Sequence, residues 1–377
     1  MILPRRAPRP LPRALRRHRG MSLIEIMIGM VIGLIATVII FQTFAVSEGF
    51  KRNTTSAGDA QQNGLFSTFT LALELANAGN GIATSAVELA TCPRNVDDPL
   101  VTPANTLRPV PVFITDGGNA ATPDSFIVSY SVSNTLVYPS LFIAGSAAGA
   151  AYQVQSPGGY KVGDMIVAIS QGGACEATRV TAVSAPDPNG VVTITHAGAG
   201  GGGATKAFPT SALLFNVGPW NRVQRVQYDV VNGVLRSTDL VPANPGEVPA
   251  NAPVPIASNI VNMKVQYGID NNADGILDTW VNAANAPWRP ADLLDATLPA
   301  LNQVKAVRIG FIVRGAQYDR AITTDFNWVL FDCETHDNAC PGRLTGTIAA
   351  DVGGGGFRYR TYETVVPLRN QLWNKQL

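Results

Sequence analysis

The stretch Met21–Val46, MSLIEIMIGMVIGLIATVIIFQTFAV, decides the architecture: it is apolar almost throughout and holds a single ionisable side chain, Glu25. As an α-helix its ~26 residues rise roughly 39 Å, enough to cross a hydrocarbon core of about 30 Å with some tilt. The residues before it have the opposite character. Arg5, Arg6, Arg9, Arg13, Arg16, Arg17, His18 and Arg19 precede it with no acid among them. By the positive-inside rule that end is expected in the cytoplasm, with the remainder of the chain exported. A secretory signal peptide would carry small residues for cleavage after the apolar run, and none of that kind follows Val46. An acid inside a span costs about 2.5–3.5 kcal/mol on insertion scales, so Glu25 marks a functional position. Gly29 and Gly33 have the small-xxx-small spacing that permits close helix packing, although glycine is common in membrane helices without it.

Outward from this segment, Leu65, Phe66, Phe69, Leu73 and Ala76 recur near a 3.6-residue period, with Asp59, Gln61, Gln62 and Glu74 largely between them. The pattern predicts that the helix continues as an amphipathic spine over 47–79, its apolar face on a sheet. Asn77 to Gly81 would end it, since Gly and Asn accept the left-handed conformation. Strand signals follow at Phe126–Val132, Val226–Val230, Val234–Arg236, Val261–Tyr267, Val304–Arg314 and Phe357–Leu368. Asn232-Gly233 is a two-residue hairpin signal, because both turn positions need positive φ. A second group, Gly163–Ile169, Thr178–Val183 and Val191–Ile194, reads as a small β subdomain inserted at about 140–208. The glycine- and alanine-rich run Ala197–Ala204 reads as a flexible loop behind it. The expected class is α+β: a long N-terminal helical spine (21–46 apolar, 47–79 amphipathic) packed on an antiparallel sheet in an exported domain over 80–377.

Composition excludes several functions. A chain with 46% hydrophobic and 15% charged residues can bury a core, and a net charge of +1 argues against a nucleic-acid binder, which needs clustered cations. Only His18, His196 and His336 are present, and no nucleophile elbow, His-Glu-x-x-His or phosphate-cradling loop occurs; the Gly353–Gly356 run lacks the Lys and Ser or Thr that would follow one. An anchored periplasmic enzyme is therefore a minor alternative, and no catalytic residue is assigned.

Two polar clusters remain. Cys92, Cys175, Cys333 and Cys340 fall in the region expected to be exported, where disulfides form. Cys333–Cys340 is the expected bridge, with Cys92–Cys175 following by elimination; the rival is a metal site from Cys333, His336 and Cys340, which lacks an evident fourth ligand. Asp270-Asn271-Asn272-Ala273-Asp274-Gly275-Ile276-Leu277-Asp278 resembles a calcium loop. Asp270, Asn272, Asp274 and Asp278 would offer side-chain oxygens and Ile276 its carbonyl, Gly275 would permit the sharp turn, and Val281 stands where a bidentate Glu would sit. The bland alternative is an Asx-rich turn.

Arg19-Gly20-Met21-Ser22-Leu23-Ile24-Glu25 resembles the type IV prepilin motif. The resemblance implies that 1–20 is a leader, that a prepilin peptidase cuts between Gly20 and Met21 and methylates Met21, and that Glu25 is the acid at the fifth mature position, where it can meet a neighbouring subunit's new amine. Met21 departs from the usual Phe. Further stretches, Gln62–Gly79, Tyr228–Arg236, Tyr267–Trp280, Ala306–Arg314 and Phe357–Asn370, are similar in order to the PilW family of minor pilins. That similarity implies a low-abundance subunit that helps initiate type IV pilus assembly, sits near the tip with the major pilin, other minor pilins and an adhesin, and supports adhesion or twitching motility. A type II secretion pseudopilin shares the leader, spine and Glu and is the nearest alternative. The implied location is the inner membrane, single-pass, then the extracellular pilus.

Overall fold

The computed structural model describes residues 20–80, 110–132, 139–155, 159–170, 175–198, 206–219, 223–241, 251–272, 274–293, 303–319, 322–333, 340–349 and 356–372. Helix α1 runs Leu23–Asn77, and the chain divides within it into two compact units, Met1–Thr55 and Ser56–Leu377. In the first unit Ser22 opens the helix, its carbonyl accepting the Glu25 and Ile26 amides at 3.0 and 3.2 Å. From there to Val46 every side chain is exposed. The helix is long and apolar enough to cross a membrane.

In the second unit the spine buries Ser56, Ala60, Gly64, Ser67, Leu71 and Leu75, spaced four, four, three, four and four apart. That is one helical stripe, but not the expected one. Leu65, Phe66, Phe69 and Leu73 are more than half exposed; of the five expected residues only Ala76 packs against the core. The first four residues of the stripe are small, which lets the helix backbone approach the sheet closely. A Cβ on Gly64 would lie 2.3 Å from the Tyr362 ring. Ser67 tolerates burial because its hydroxyl donates to the Asn63 carbonyl at 2.7 Å. After Asn77 the chain leaves the helix at Gly79 (φ 77°), whose amide donates to the Ser129 carbonyl at 2.9 Å, so the spine's end is fixed to the sheet.

Two antiparallel sheets share the main core. The first contains β1 (Val112–Thr115), β2 (Ser125–Ser131), β9 (Val223–Val231), β10 (Val234–Asp239) and β11 (Val254–Ser258), in the order β1-β2-β9-β10-β11. The second has the order β13-β12-β14-β17, from β12 (Ile260–Ile269), β13 (Thr279–Val281), β14 (Val304–Arg314) and β17 (Tyr359–Pro367). The Asn232-Gly233 turn forms as the sequence requires: Val231 pairs with Val234, and the two turn residues have φ of 52° and 76°. Leu71, Leu75, Phe126, Leu235, Met263, Tyr267, Ile309 and Phe311 join α1 to both sheets in one apolar cluster. Tyr267 also ties the sheets by polar contact, its hydroxyl accepting from the Ile114 amide at 2.7 Å. A two-stranded ribbon, β15 (Phe326–Leu330) with β16 (Leu344–Ile348), adds a satellite core around Trp328, Leu330, Phe331 and Ile312.

The inserted segment forms β3 (Ser140–Leu141), β4 (Tyr152–Gln155), β5 (Asp164–Ile169), β6 (Cys175–Val183), β7 (Val191–Gly198) and β8 (Leu213–Pro219), in the order β3-β8-β5-β6-β7-β4. The bridge from Phe142 to Val154, with the Ile143 amide donating to the Gln153 carbonyl, brings the two edge strands together and closes the sheet into a small barrel. Its core is its own, built on Phe142, Tyr152, Val154, Ile166, Ile194 and Phe208. Closure satisfies edge N–H and C=O groups that an open sheet this small would expose. The barrel occupies Ser140–Pro219, ending later than the expected 208. Ala197 and Gly198, expected in a loop, pair with Arg179 and Thr178 in β7; residues 199–204 lie outside the described set.

Candidate functional site

The segment expected to be processed lies around Gly20 and Met21. Gly20 and Met21 precede the helix and are exposed, and a Cβ on Gly20 would meet nothing within 4 Å. A peptidase could therefore reach this junction without unwinding α1. Glu25 lies in the first helical turn, where a negative charge is favoured by the helix dipole by about 0.3–1 kcal/mol. Its carboxylate takes no partner among the described residues, so it is free for one outside the chain. His18 and the leader arginines lie outside those residues.

Farther along α1, Leu65, Phe66, Phe69 and Leu73 form an apolar strip on the side away from the sheet. Four large side chains on one helix face are left uncovered by the core among the described residues, an exposed apolar strip of the kind that serves contacts with other molecules. Sequence reading found these residues but assigned them the wrong face.

Around the disulfide, Cys333 and Cys340 are bonded to each other, with Cα atoms 5.7 Å apart. Asp332 is close enough to make a three-residue acidic and sulfur cluster, but both sulfurs are consumed by the bond, so the expected alternative of a Cys333–His336–Cys340 metal site is set aside; His336 itself is outside the described residues. So is Cys92, while Cys175 starts β6 with its side chain undescribed. The disulfide loop is held to the main sheet by a residue that the sequence did not single out. Arg308 of β14 lies between the rings of Trp280 and Phe331, 4.5 and 4.4 Å from their centroids. Its Nε donates to Gln266 Oε1 at 2.7 Å and its Nη2 to the Pro341 carbonyl at 2.8 Å. Burial draws this guanidinium down to about 10, against the opposing pull of Glu363, and it stays charged at neutral pH. Glu363 is pushed up by burial, although the Phe331 amide and Arg308 favour its charged form.

The Asp270–Asp278 loop joins β12 to β13. Asp270 is fully buried; its Oδ2 accepts the Gly275 amide at 2.9 Å, and its Oδ1 has no hydrogen-bond partner. Asn272 Oδ1 accepts from the Asp274 amide, Asp274 Oδ1 from the Ile276 amide, and Asp278 Oδ2 from the Asn271 amide, at 3.0, 2.7 and 2.7 Å. Gly275 takes φ +88°, as the turn requires. The carboxylates of Asp270, Asp274 and Asp278 do not gather within 4.8 Å of one another.

The comparisons with known proteins now bear on these features. Residues 15–41, the processing segment and the start of the apolar helix, match the prokaryotic N-terminal methylation motif. Residues 223–370 match the type IV pilus-assembly protein W family, PilW. The chain is thus similar to PilW over its second sheet and to methylated prepilins at its amino terminus. The PilW match takes in the Asn232-Gly233 hairpin, the second sheet, the Asp270–Asp278 loop, Arg308 and the disulfide, whereas the barrel lies wholly outside it. Among solved structures the chain is similar to a type IV-like pilin from Thermus thermophilus, at 13% identity over 56% of this chain and 85% of that one, with a TM-score of 0.22. No curated protein matches.

Proposed function

We propose that this protein is a minor pilin that prepilin peptidase cuts between Gly20 and Met21 and methylates at Met21, and that it helps initiate assembly of type IV pili and is incorporated near their tip. The observation that carries the reading is the fully exposed apolar helix with its one unpartnered acid, Glu25, behind a methylation motif. Such a helix is stable only in a bilayer or among other helices. In the inner membrane the Arg-rich end faces the cytoplasm and the folded domain the periplasm. On assembly the same helix leaves lipid for the filament core, where Glu25 pairs with the methylated amine of a neighbouring subunit and its buried charge is offset. The strip of Leu65, Phe66, Phe69 and Leu73 on the second unit offers a further apolar contact surface.

The partners in this reading are the peptidase, the major pilin, other minor pilins and a tip adhesin, and the outcome is adhesion or twitching motility. The pilin role itself calls for no cofactor; a calcium ion in the Asp270–Asp278 loop would be a structural addition. The test is an in-frame deletion in the native host. Loss of surface pili and twitching, with exoenzyme secretion intact and both defects restored by the gene in trans, is the expected result. Normal pili with failed exoenzyme secretion would assign the protein to a type II secretion pseudopilus instead.

A further inference from the structure

We infer that the loop between β12 and β13 is a calcium site, with side-chain oxygens from Asp270, Asn272, Asp274 and Asp278 and the main-chain oxygen of Ile276 as ligands. The observation that points to a ligand is Asp270 Oδ1. The side chain is wholly buried, and this carboxylate oxygen has no hydrogen-bond partner. A buried carboxylate oxygen left bare is a costly arrangement, which a bound cation relieves directly. The group faces the loop, because its other oxygen takes the Gly275 amide from across the turn.

The remaining geometry fits a hard, oxygen-seeking ion. The donors alternate along the chain, so successive oxygens can turn to one side, and Gly275 at φ +88° makes the sharp turn among them. The base of the loop is closed at both ends: the Asp270 amide donates to the Gln303 carbonyl at 2.9 Å and the Asp278 amide to the Ile269 carbonyl at 2.8 Å. Each amide-bound oxygen of Asn272, Asp274 and Asp278 retains a second lone pair, so ligation does not require those bonds to break. Asp274 and Asp278 are exposed and can swing inward to complete the set around the fixed Asp270. No bidentate Glu follows, so affinity should be modest, roughly 10⁻⁴ to 10⁻³ M, the range of extracellular modules. Magnesium, which demands a rigid octahedron and holds its waters, is a poor match for a loop of this kind.

The ion also has a structural target. Asp278 lies two residues before Trp280, which stacks on Arg308, and Arg308 holds the Pro341 carbonyl next to Cys340 of the disulfide. Calcium thereby orders the strand that anchors this part of the surface.

The test uses the mature full-length protein in detergent, titrated with calcium chloride alone by calorimetry and melted in calcium, in magnesium and in chelator. The expected result is one calcium per chain, a melting temperature raised by several degrees in millimolar calcium but not in magnesium, and at least about a ten-fold loss of affinity in Asp274→Ala and in Asp270→Asn. Asp274 is exposed, so its variant should melt like the wild type in chelator, which separates lost binding from lost folding. Absence of binding heat with identical melting curves, or calcium binding that survives both substitutions, overturns the site. Neither outcome touches the pilin reading, which rests on the amino terminus.

Discussion

Lys264→Met removes one partner of a pair buried in the main core. The Lys264 and Asp124 side chains are 3% and 2% exposed, and Lys264 Nζ donates to Asp124 Oδ1 at 2.8 Å and to the Asn119 and Thr122 carbonyls at 2.8 and 2.7 Å. Asp124 also accepts from the Gly117 and Val265 amides, each at 2.9 Å, so the pair fastens the loop between β1 and β2 onto β12. Replacing the ammonium with a thioether fills similar volume but leaves a buried carboxylate with two amides and two carbonyls with nothing. Breaking such a pair costs about 3–5 kcal/mol, a large part of a typical total stability of about 5–15 kcal/mol. Burial already pushes the Asp124 carboxyl above its usual range, against the pull of Lys264 and the two amides. A carboxyl raised in the folded state favours folding below its unfolded value, about 4, and that contribution is lost as pH rises through the folded value. Without Lys264 the rise is greater, so the variant's deficit should be small near pH 4 and full at neutral pH. Equilibrium denaturation of the mature protein in detergent, followed by circular dichroism across that range, measures it, and Asp124→Asn with Lys264→Met should recover part of the loss. A neutral-pH deficit below about 0.5 kcal/mol, or one independent of pH, would refute the argument.

Three further outcomes are expected. Leu71→Ala, on the buried stripe, should cost about 2–5 kcal/mol, whereas Phe69→Ala should leave denaturation within about 0.5 kcal/mol of wild type yet reduce recovery of the protein in sheared pili; equal destabilisation by both would return the spine to its sequence-predicted face. Glu25→Ala should be inserted and cut normally but fail to enter filaments, and normal incorporation would show that the acid has no partner there. Cys333→Ser with Cys340→Ser should lose about 2.5 kcal/mol, from the closure entropy of so short a loop, read as a lower melting temperature under oxidising conditions.

Much of this fold was legible because its signals are local. The apolar run from Met21, the period-2 strands and Asn232-Gly233 each specify their own conformation, and the α+β class follows from them. The spine's face was not legible, for a physical reason: sequence patterning weights large apolar residues, while a helix laid flush on a sheet selects Ala60, Gly64 and Ser67 so that the backbones can approach. The large residues Leu65, Phe66, Phe69 and Leu73 stay exposed instead. Barrel closure depends on the non-local bridge from Phe142 to Val154, which no window of sequence reveals. Arg308 and Lys264 read as ordinary alternating charges on strands, and only tertiary packing places one between two rings and the other beside a buried acid.

The central claim is a mature chain beginning at Met21, and intact-mass and amino-terminal peptide spectrometry of the protein from its native host tests it directly. The account predicts a chain starting at Met21 with its α-amine carrying one methyl group, and a mass lower by residues 1–20. A chain still carrying Arg19 and Gly20 in cells that contain the peptidase, or one cut after Val46, would contradict it.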